Sequence, residues 1–141
     1  MTVRPMVAFD FGDGVTPREV FVRYEAVLED RGSRYAVSVG RAQNREDINR
    51  FLVIVKSDKK FAKATHNSWA ARLRHEGAIY ETKQDDGETG AGLVILRELQ
   101  RVNAVDTVVC VTRWFGGVKL MSDRFRHVQD AARLGLERSC G

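Results

Sequence analysis

The chain contains 141 residues, of which 43% are hydrophobic and 30% are charged, and it carries a net charge of +4. This length is typical of one domain, and a content of two prolines and twelve glycines excludes collagen-like and proline-rich disordered proteins. The longest apolar run, residues 51–55, is far shorter than the roughly 20 residues that cross a bilayer. Because the first residues contain no apolar signal sequence, we expect a cytoplasmic protein.

The chain contains two cysteines, which are too few for a disulfide framework or a structural zinc site. Cys110 lies in an apolar run, so we expect a buried, small hydrophobic side chain rather than a nucleophile. Cys140 lies one residue from the C-terminus, where we expect the chain to fray.

Charge is unevenly distributed along the chain. Residues 41–74 contain nine basic and three acidic side chains, whereas residues 76–88 contain one lysine and five acids. Such asymmetry is typical of two solvated faces, or of a patch that binds RNA, a ribosome or an acidic protein. Within the basic segment, four lysines form a candidate basic patch that can neutralise phosphates. These are Lys56, Lys59, Lys60 and Lys63.

The sequence predicts an irregular N-terminal segment over residues 1–19. A single domain is predicted over residues 20–141. Apolar residues then alternate with polar ones in two runs separated by a turn at residues 30–33, which predicts a β-hairpin. The alternating residues are Val20, Val22, Tyr24, Ala26 and Leu28, and then Tyr35, Val37 and Val39.

A helix is predicted to follow the hairpin, with Asn44 as its N-cap and Asp47 as a capping-box acid. Its apolar face comprises Ile48, Phe51, Leu52 and Val55. Two short strands are predicted next, at residues 68–73 and 78–83.

The last third predicts a helix, a strand and a helix. The first helix has an apolar stripe that comprises Leu93, Leu96, Leu99 and Val102. A β-branched run over residues 106–112 predicts a strand that is buried on both faces. Ser122 is predicted to cap the final helix. The apolar face of that helix comprises Phe125, Val128, Ala132 and Leu136.

These elements follow the order β-β-α-β-β-α-β-α, which favours an α+β two-layer sandwich. In this architecture, one mixed or antiparallel sheet has helices on one face. A doubly wound parallel fold is disfavoured because helices and strands do not alternate strictly.

An acidic loop with several glycines places Asp85, Asp86 and Glu88 within four residues. Carboxylate oxygens suit Mg²⁺ or Ca²⁺, and paired carboxylates also serve acid–base hydrolysis. The loop is also compatible with a solvated acidic turn, which this pattern favours, or with a salt bridge to Arg113. The glycines of residues 90–92 do not match a phosphate-binding loop, because no Gly-Lys-Ser/Thr string follows them.

Two other clusters contain residues that could carry chemistry. His66 is either a structural hydrogen-bonding residue or a general base, and no zinc-protease or serine-hydrolase string accompanies it. Residues 113–117, Arg-Trp-Phe-Gly-Gly, follow the predicted buried strand. Their aromatic side chains can stack on a base or cover a partner, or they can close the core while Arg113 neutralises the acidic loop.

Three strings taken together resemble the Impact family, whose bacterial members are the YigZ-type proteins. The strings are Ala-Thr-His-Asn at residues 64–67, Asp-Asp-Gly-Glu-Thr at residues 85–89 and Val-Thr-Arg-Trp-Phe-Gly-Gly at residues 111–117. Their order and spacing also match, and the resemblance covers about residues 20–137. Residues 120–127 are similar to the eukaryotic Impact/Yih type, with Met121 where that type usually has glycine.

This resemblance implies a fold like domain two of ribosomal protein S five, and a role in translational control. Eukaryotic Impact proteins restrain the amino-acid-starvation kinase of translation initiation by competing for its activator protein on ribosomes, and they are reported to bind actin. No enzymatic activity is established for the family. Because residues 1–19 are too few for the N-terminal RWD domain of eukaryotic members, the resemblance implies a stand-alone Impact domain.

We therefore expect a non-enzymatic regulator of translation in the starvation stress response, with no catalytic residue, cofactor or metal. The basic patch would dock on ribosomal RNA or an acidic protein, and the family motifs would form the specific surface. The motif residues are Thr65, His66, Asn67, Asp85, Asp86, Gly87, Glu88, Arg113, Trp114, Phe115, Gly116, Gly117, Asp123 and Arg124.

Two alternative functions remain open at this stage. One is a nucleic-acid-binding protein that uses Trp114 and Phe115 as stacking platforms. The other is a metal-dependent hydrolase with Arg113 as an anion clamp. Its remaining site residues would be His66, Asp85, Asp86 and Glu88.

Overall fold

A computed structural model describes residues 14–140 of the chain. It contains five strands: β1 (Val22–Asp30), β2 (Ser33–Arg41), β3 (His66–His75), β4 (Ala78–Gln84) and β5 (Thr107–Trp114). Its helices are α1 (Arg45–Ser57), α2 (Lys59–Ala62), α3 (Ala91–Arg101) and α4 (Asp123–Ser139). The predicted order of strands and helices is confirmed, and the short helix α2 is an addition to it.

The five strands form one sheet in the order β1-β2-β5-β3-β4, and every neighbouring pair is antiparallel. Strand β5 lies at the centre, between β2 and β3. Its side chains from Thr107 to Arg113 are buried, which confirms the prediction of a strand covered on both faces. The central position explains why this segment contains the continuous apolar run Val108–Val111.

The larger core lies between one face of the sheet and helices α3 and α4. Strands β2 and β5 contribute alternate residues to it, and the helices contribute their apolar faces. The largest fully buried members include Tyr35, Val37, Val39, Val109, Val111, Ile95 and Leu99. The predicted α+β class with a single antiparallel sheet is confirmed, and α3 and α4 are the helices that cover this face of the sheet.

A second, smaller core lies on the opposite face, under helices α1 and α2. Because side chains alternate along a strand, Ala36 and Cys110 point away from the larger core and meet Phe51 and Phe61. Cys110 is a free, fully buried thiol, and burial raises its pKa to about 12. The prediction of a small hydrophobic residue at this position is therefore confirmed.

Strand β1 departs from the simple alternation that the sequence predicted. It begins at Val22 and carries a bulge, since Tyr24 pairs with Val37 while Leu28 pairs with Tyr35. At the bulge, Ala26 adopts a φ of 53° and is exposed, whereas the prediction placed it on the buried face. The inserted residues rotate Val27 toward the larger core in its place.

The helix ends and faces agree with the predictions in part. Asn44 accepts a hydrogen bond from the Asp47 N–H at 2.8 Å, which confirms the cap of α1. Ser122 makes no capping hydrogen bond, so its predicted cap is wrong; its backbone is already helical, and a capping residue needs an extended one. Leu93 is exposed instead of buried, because Ile95 and Glu98 share the covered face of α3 with Leu96 and Leu99.

Residues 14–19 form no strand or helix, but they lie against the domain. Val15 bridges Ala104, and Pro17 bridges Cys140. The prediction that Cys140 frays is wrong, because this bridge and the larger core hold it. Residues 1–13 of the predicted irregular segment lie outside the described residues. Between residues 14 and 140, no helix has the length and apolarity needed to cross a membrane.

A buried carboxylate joins the two helices of the larger core. Glu98 of α3 is 3% exposed and accepts two hydrogen bonds from Arg133 of α4, at 2.9 and 3.0 Å. Arg101 and Gln129 donate to the same carboxylate at 2.9 and 3.2 Å. Burial alone would raise the pKa of Glu98, but these donors outweigh it and hold the pKa below the ordinary value.

We predict that Glu98→Gln lowers the free energy of unfolding by about 1–3 kcal/mol at pH 7, because the substitution weakens charge-assisted hydrogen bonds. The pKa of Glu98 is lowered in the folded state, so its contribution is present above the ordinary pKa of 4.5 and is lost as the pH falls through the folded value. Urea unfolding at several pH values should therefore show the gap between wild type and variant closing in acid.

The matched control is Glu137→Gln, which removes the same charge from an exposed position on α4. It should change the free energy of unfolding by less than about 0.5 kcal/mol. A Glu98→Gln gap that stayed constant from pH 7 to pH 3 would contradict the proposed role of the carboxylate charge.

Candidate functional site

The three motif strings meet at one end of the sheet, around a pocket of about 380 Å³. We call this cavity the motif pocket. The antiparallel register places His66 of β3 and Tyr35 of β2 on either side of Arg113 of β5. The pocket is lined by Thr65, His66, Gly87, Glu88, Arg113, Phe115, Lys119, Leu120, Met121 and Arg124.

A buried ion pair forms the floor of the motif pocket. The Nη1 atom of Arg113 lies 3.0 Å from each carboxylate oxygen of Glu88, and the two side chains are 7% and 2% exposed. The Nε atom of Arg124 lies 3.7 Å from the same carboxylate, and the Nε2 atom of His66 lies 3.8 Å from it. Of the interpretations of the acidic loop, the salt bridge to Arg113 is therefore confirmed, with Glu88 as the partner.

The carboxylate of Asp85 organises the start of helix α3. It accepts hydrogen bonds from the N–H groups of Gly90 and Gly92 at 3.0 and 2.8 Å. These bonds lower the pKa of Asp85 below its ordinary value. Helix α3 has no side-chain cap at Gly90, so Asp85 satisfies N–H groups that the helix leaves free.

Asp86 connects the acidic loop to strand β3. Its carboxylate accepts a hydrogen bond from the Asn67 N–H at 2.7 Å, and its carbonyl oxygen lies 2.8 Å from Nδ1 of His66. A carbonyl oxygen only accepts, so Nδ1 of His66 carries a proton, and Nε2 is the ring atom that faces Glu88. The three carboxylates of the loop thus have separate contacts. Over residues 14–140, no group of three side chains is arranged to hold a metal ion.

Thr65 and Asn67 fix the neighbouring strand ends. The hydroxyl of Thr65 accepts a hydrogen bond from the Phe115 N–H at 2.9 Å. Asn67 is buried, donates to the carbonyl of Phe61 at 3.0 Å and accepts from the Thr112 hydroxyl at 2.7 Å. Asn67 therefore supports the site from inside, whereas Thr65 lies at its edge.

The two consecutive aromatic residues point to different places. Phe115 is 48% exposed and lines the motif pocket. Trp114 is half-buried against Phe61, with ring centres 4.9 Å apart, and its indole N–H donates to the Lys60 carbonyl at 3.0 Å. The next residue, Gly116, lies so close to Gly32 that a Cβ atom would sit 2.0 Å from its carbonyl carbon. Only glycine fits there.

Residues 120–127, the segment similar to the eukaryotic Impact type, contribute side chains both to the pocket and to the surface outside it. Arg124 lines the pocket. Asp123 instead pairs with Arg31 at 2.7 Å and with Arg126 at 3.5 Å. Met121 adopts a φ of 58°, the left-handed conformation that suits the glycine expected at this position.

The lysines of the basic patch are exposed, and Lys63 directly precedes the string at residues 64–67. Lys59 and Lys60 belong to α2, which the Trp114 and Asn67 hydrogen bonds attach to the ends of β5 and β3. Lys60 also pairs with Glu25 at 3.1 Å. Sequence reasoning missed Lys119, which lines the pocket outside every recognised string, and it did not name Leu120 or Met121 of the string at residues 120–127 as site residues.

We predict that Glu88→Gln lowers the free energy of unfolding by about 3 kcal/mol, because it leaves the buried guanidinium of Arg113 without a charged partner. Arg113→Met should have a comparable cost. The double variant should lose about 1–3 kcal/mol less unfolding free energy than the sum of the two single losses. The measurement is urea unfolding of the wild type, both single variants and the double variant.

The control for this cycle is Glu25→Gln, which breaks the half-exposed pair with Lys60. It should cost about 0.5 kcal/mol or less. Strict additivity of Glu88→Gln and Arg113→Met would show that the two side chains do not stabilise each other.

Comparisons with known proteins identify the same family that the three motif strings resemble. A sequence model described as the Impact N-terminal domain matches residues 31–136. The Protein IMPACT homolog of Caenorhabditis elegans is 34% identical over 86% of this chain. The homologs of Schizosaccharomyces pombe and Saccharomyces cerevisiae are 37% and 34% identical over 75% and 79% of this chain. The aligned regions make up 51%, 38% and 44% of those three proteins, so the chain spans about half of their length or less.

Two solved structures are similar to the fold described above. One, a crystal structure of a hypothetical protein, has a TM-score of 0.70 over 89% of this chain and 59% of that one; at 20% identity it supports the fold alone. The other is the two-domain translational regulator Yih1, with a TM-score of 0.55 and 29% identity over 99% of this chain and 54% of that one. With the family match covering most of its length, the chain belongs to the Impact N-terminal domain family.

Proposed function

We propose that this protein is a non-enzymatic regulator of translation in the amino-acid-starvation response, which acts by binding a ribosome or a translation-control protein. Its family membership supports this function, as does its similarity to Yih1, which is described as a translational regulator. The family resemblance adds two specific candidates, the activator of the starvation-responsive kinase and actin.

The observation that carries this proposal is the position of the basic patch beside the motif pocket. Helix α2, which carries Lys59 and Lys60, is attached to the ends of β3 and β5, and the same strand ends carry His66 and Arg113. A partner that approaches this end of the sheet would therefore meet exposed positive charge and the pocket together. Clustered positive charge favours a negatively charged partner such as ribosomal RNA.

The contacts of the acidic loop favour binding over hydrolysis. A metal-dependent hydrolase would need carboxylates that face a common point, but Asp85 binds the amides of Gly90 and Gly92, and Asp86 binds the amide of Asn67. Glu88 is paired with Arg113. The loop carboxylates thus hold the surface in shape instead of converging on a substrate.

We predict that the protein sediments with ribosomes at low salt and is released at high salt, because counterion release makes phosphate binding steeply salt-dependent. Lys59→Glu/Lys60→Glu should reduce the bound fraction about tenfold or more at low salt, since two attractive charges become repulsive. The measurement is co-sedimentation of purified protein with ribosomes, followed by quantification of the pellet.

A control reverses two exposed charges away from the motif strings: Arg74→Glu/Arg97→Glu, at the far end of β3 from His66 and on α3. This control should bind ribosomes nearly as well as the wild type, and both double variants should remain folded, with unfolding midpoints close to that of the wild type. Binding that ignores salt, or that falls equally in both double variants, would contradict docking through the basic patch.

A further inference from the structure

The motif pocket has the composition of an anion site. We propose that it binds a phosphate monoester carried by a ligand with a planar ring, either a mononucleotide or the 5′-phosphorylated end of an oligonucleotide. This proposal rests on the proposed function, because it names the chemical group that the partner-binding end of the sheet would recognise.

The charges around the pocket leave an excess of positive charge. Arg113 neutralises Glu88 at 3.0 Å. Arg124 lies 3.7 Å from Glu88, which is too far for a hydrogen bond, and its side chain is 38% exposed. Lys119 lines the pocket and forms no ion pair within residues 14–140. Two basic side chains are therefore available to an anion at the mouth of the pocket.

Two donors of the pocket also lack an acceptor. The Nε atoms of Arg113 and Arg124 are buried, and neither makes a hydrogen bond within the part of the chain that the structure describes. A buried N–H without an acceptor costs free energy, and guanidinium groups bind phosphate oxygens with short, charge-assisted hydrogen bonds. The hydroxyl of Thr65 accepts from Phe115, which leaves its own proton free to donate.

The apolar part of the pocket suits a planar ring. Phe115 presents a half-exposed aromatic ring at the pocket, and Leu120 and Met121 are the other large apolar residues of its lining. Every nucleobase can stack favourably on an aromatic side chain, because each base has a flat π face. The volume of about 380 Å³ falls in the range of small-molecule sites, so the pocket can hold a phosphate and the adjoining nucleoside.

The test is calorimetric titration of the full chain at low salt with four probes: inorganic phosphate, adenosine 5′-monophosphate, adenosine and succinate. We expect adenosine 5′-monophosphate to bind most tightly, inorganic phosphate to bind more weakly, and adenosine and succinate to bind at least tenfold more weakly than the monophosphate. Phe115→Ala should bring the monophosphate down to the affinity of inorganic phosphate.

The pocket variants are Arg124→Gln and Lys119→Gln, which leave the buried pair of Glu88 and Arg113 in place. Each should weaken binding of adenosine 5′-monophosphate about tenfold, the typical effect of losing one charge-assisted contact. The control is Arg126→Gln, which removes the same charge from an exposed position on α4 outside the pocket lining. It should leave the affinity unchanged.

The same titration with a short oligonucleotide distinguishes the two ligand sources. If the source is a nucleic-acid end, a 5′-phosphorylated oligonucleotide binds at least tenfold more tightly than both its 5′-hydroxyl form and the mononucleotide. If the source is a free mononucleotide, the oligonucleotide binds no better than adenosine 5′-monophosphate. Both results support a phosphate site.

The proposal is overturned if adenosine or succinate matches the monophosphate, if no phosphate probe binds, or if Arg126→Gln weakens binding as much as Arg124→Gln. The outcome is separable from the proposed function, since Lys59→Glu/Lys60→Glu lies outside the pocket and should retain phosphate binding. Ribosome association without phosphate binding would remove only this inference, whereas phosphate binding without ribosome association would remove only the proposed docking.

Discussion

The buried ion pair between Glu88 and Arg113 is the contact on which the shape of the motif pocket depends. It joins the acidic loop before α3 to the end of the central strand β5, two segments that are far apart in the sequence. Burying two charges has a high desolvation cost, so the pair adds little to stability compared with apolar residues of the same size. Its consequence is positional, because each charge excludes arrangements in which the other is left unpaired.

Other contacts at this end of the sheet also hold the acidic loop and the end of β5 in place. Asp86 binds the amide of Asn67, and Asp85 binds two amides at the start of α3, so the acidic loop is attached to elements on both of its sides. Across the sheet, Gly116 packs directly on Gly32, which leaves no room for a side chain. The residues that the sequence singled out as chemical are thus largely architectural, and those that remain available to a partner are basic or aromatic.

Local patterns in the sequence were sufficient for the elements but not for the site. Alternation and helical spacing predicted the order of strands and helices, because burial acts on each element through its own period. The same spacing placed Leu93 inside, whereas Ile95 and Glu98 share the covered face of α3 with Leu96 and Leu99. The partner of Arg113 depends on the conformation of the acidic loop, including a φ of 52° at Asp86, and Lys119 reaches the pocket only through folding. No local period encodes either of these facts.

We infer that the motif loops form one cooperative unit held by the Glu88–Arg113 pair. Native-state hydrogen exchange tests it most directly at three amides that bond across the loops, those of Asn67, Gly92 and Phe115. We expect the three amides to open with the same free energy in the wild type and to lose protection together in Glu88→Gln. Three unequal opening free energies, with only one amide affected by the substitution, would contradict it.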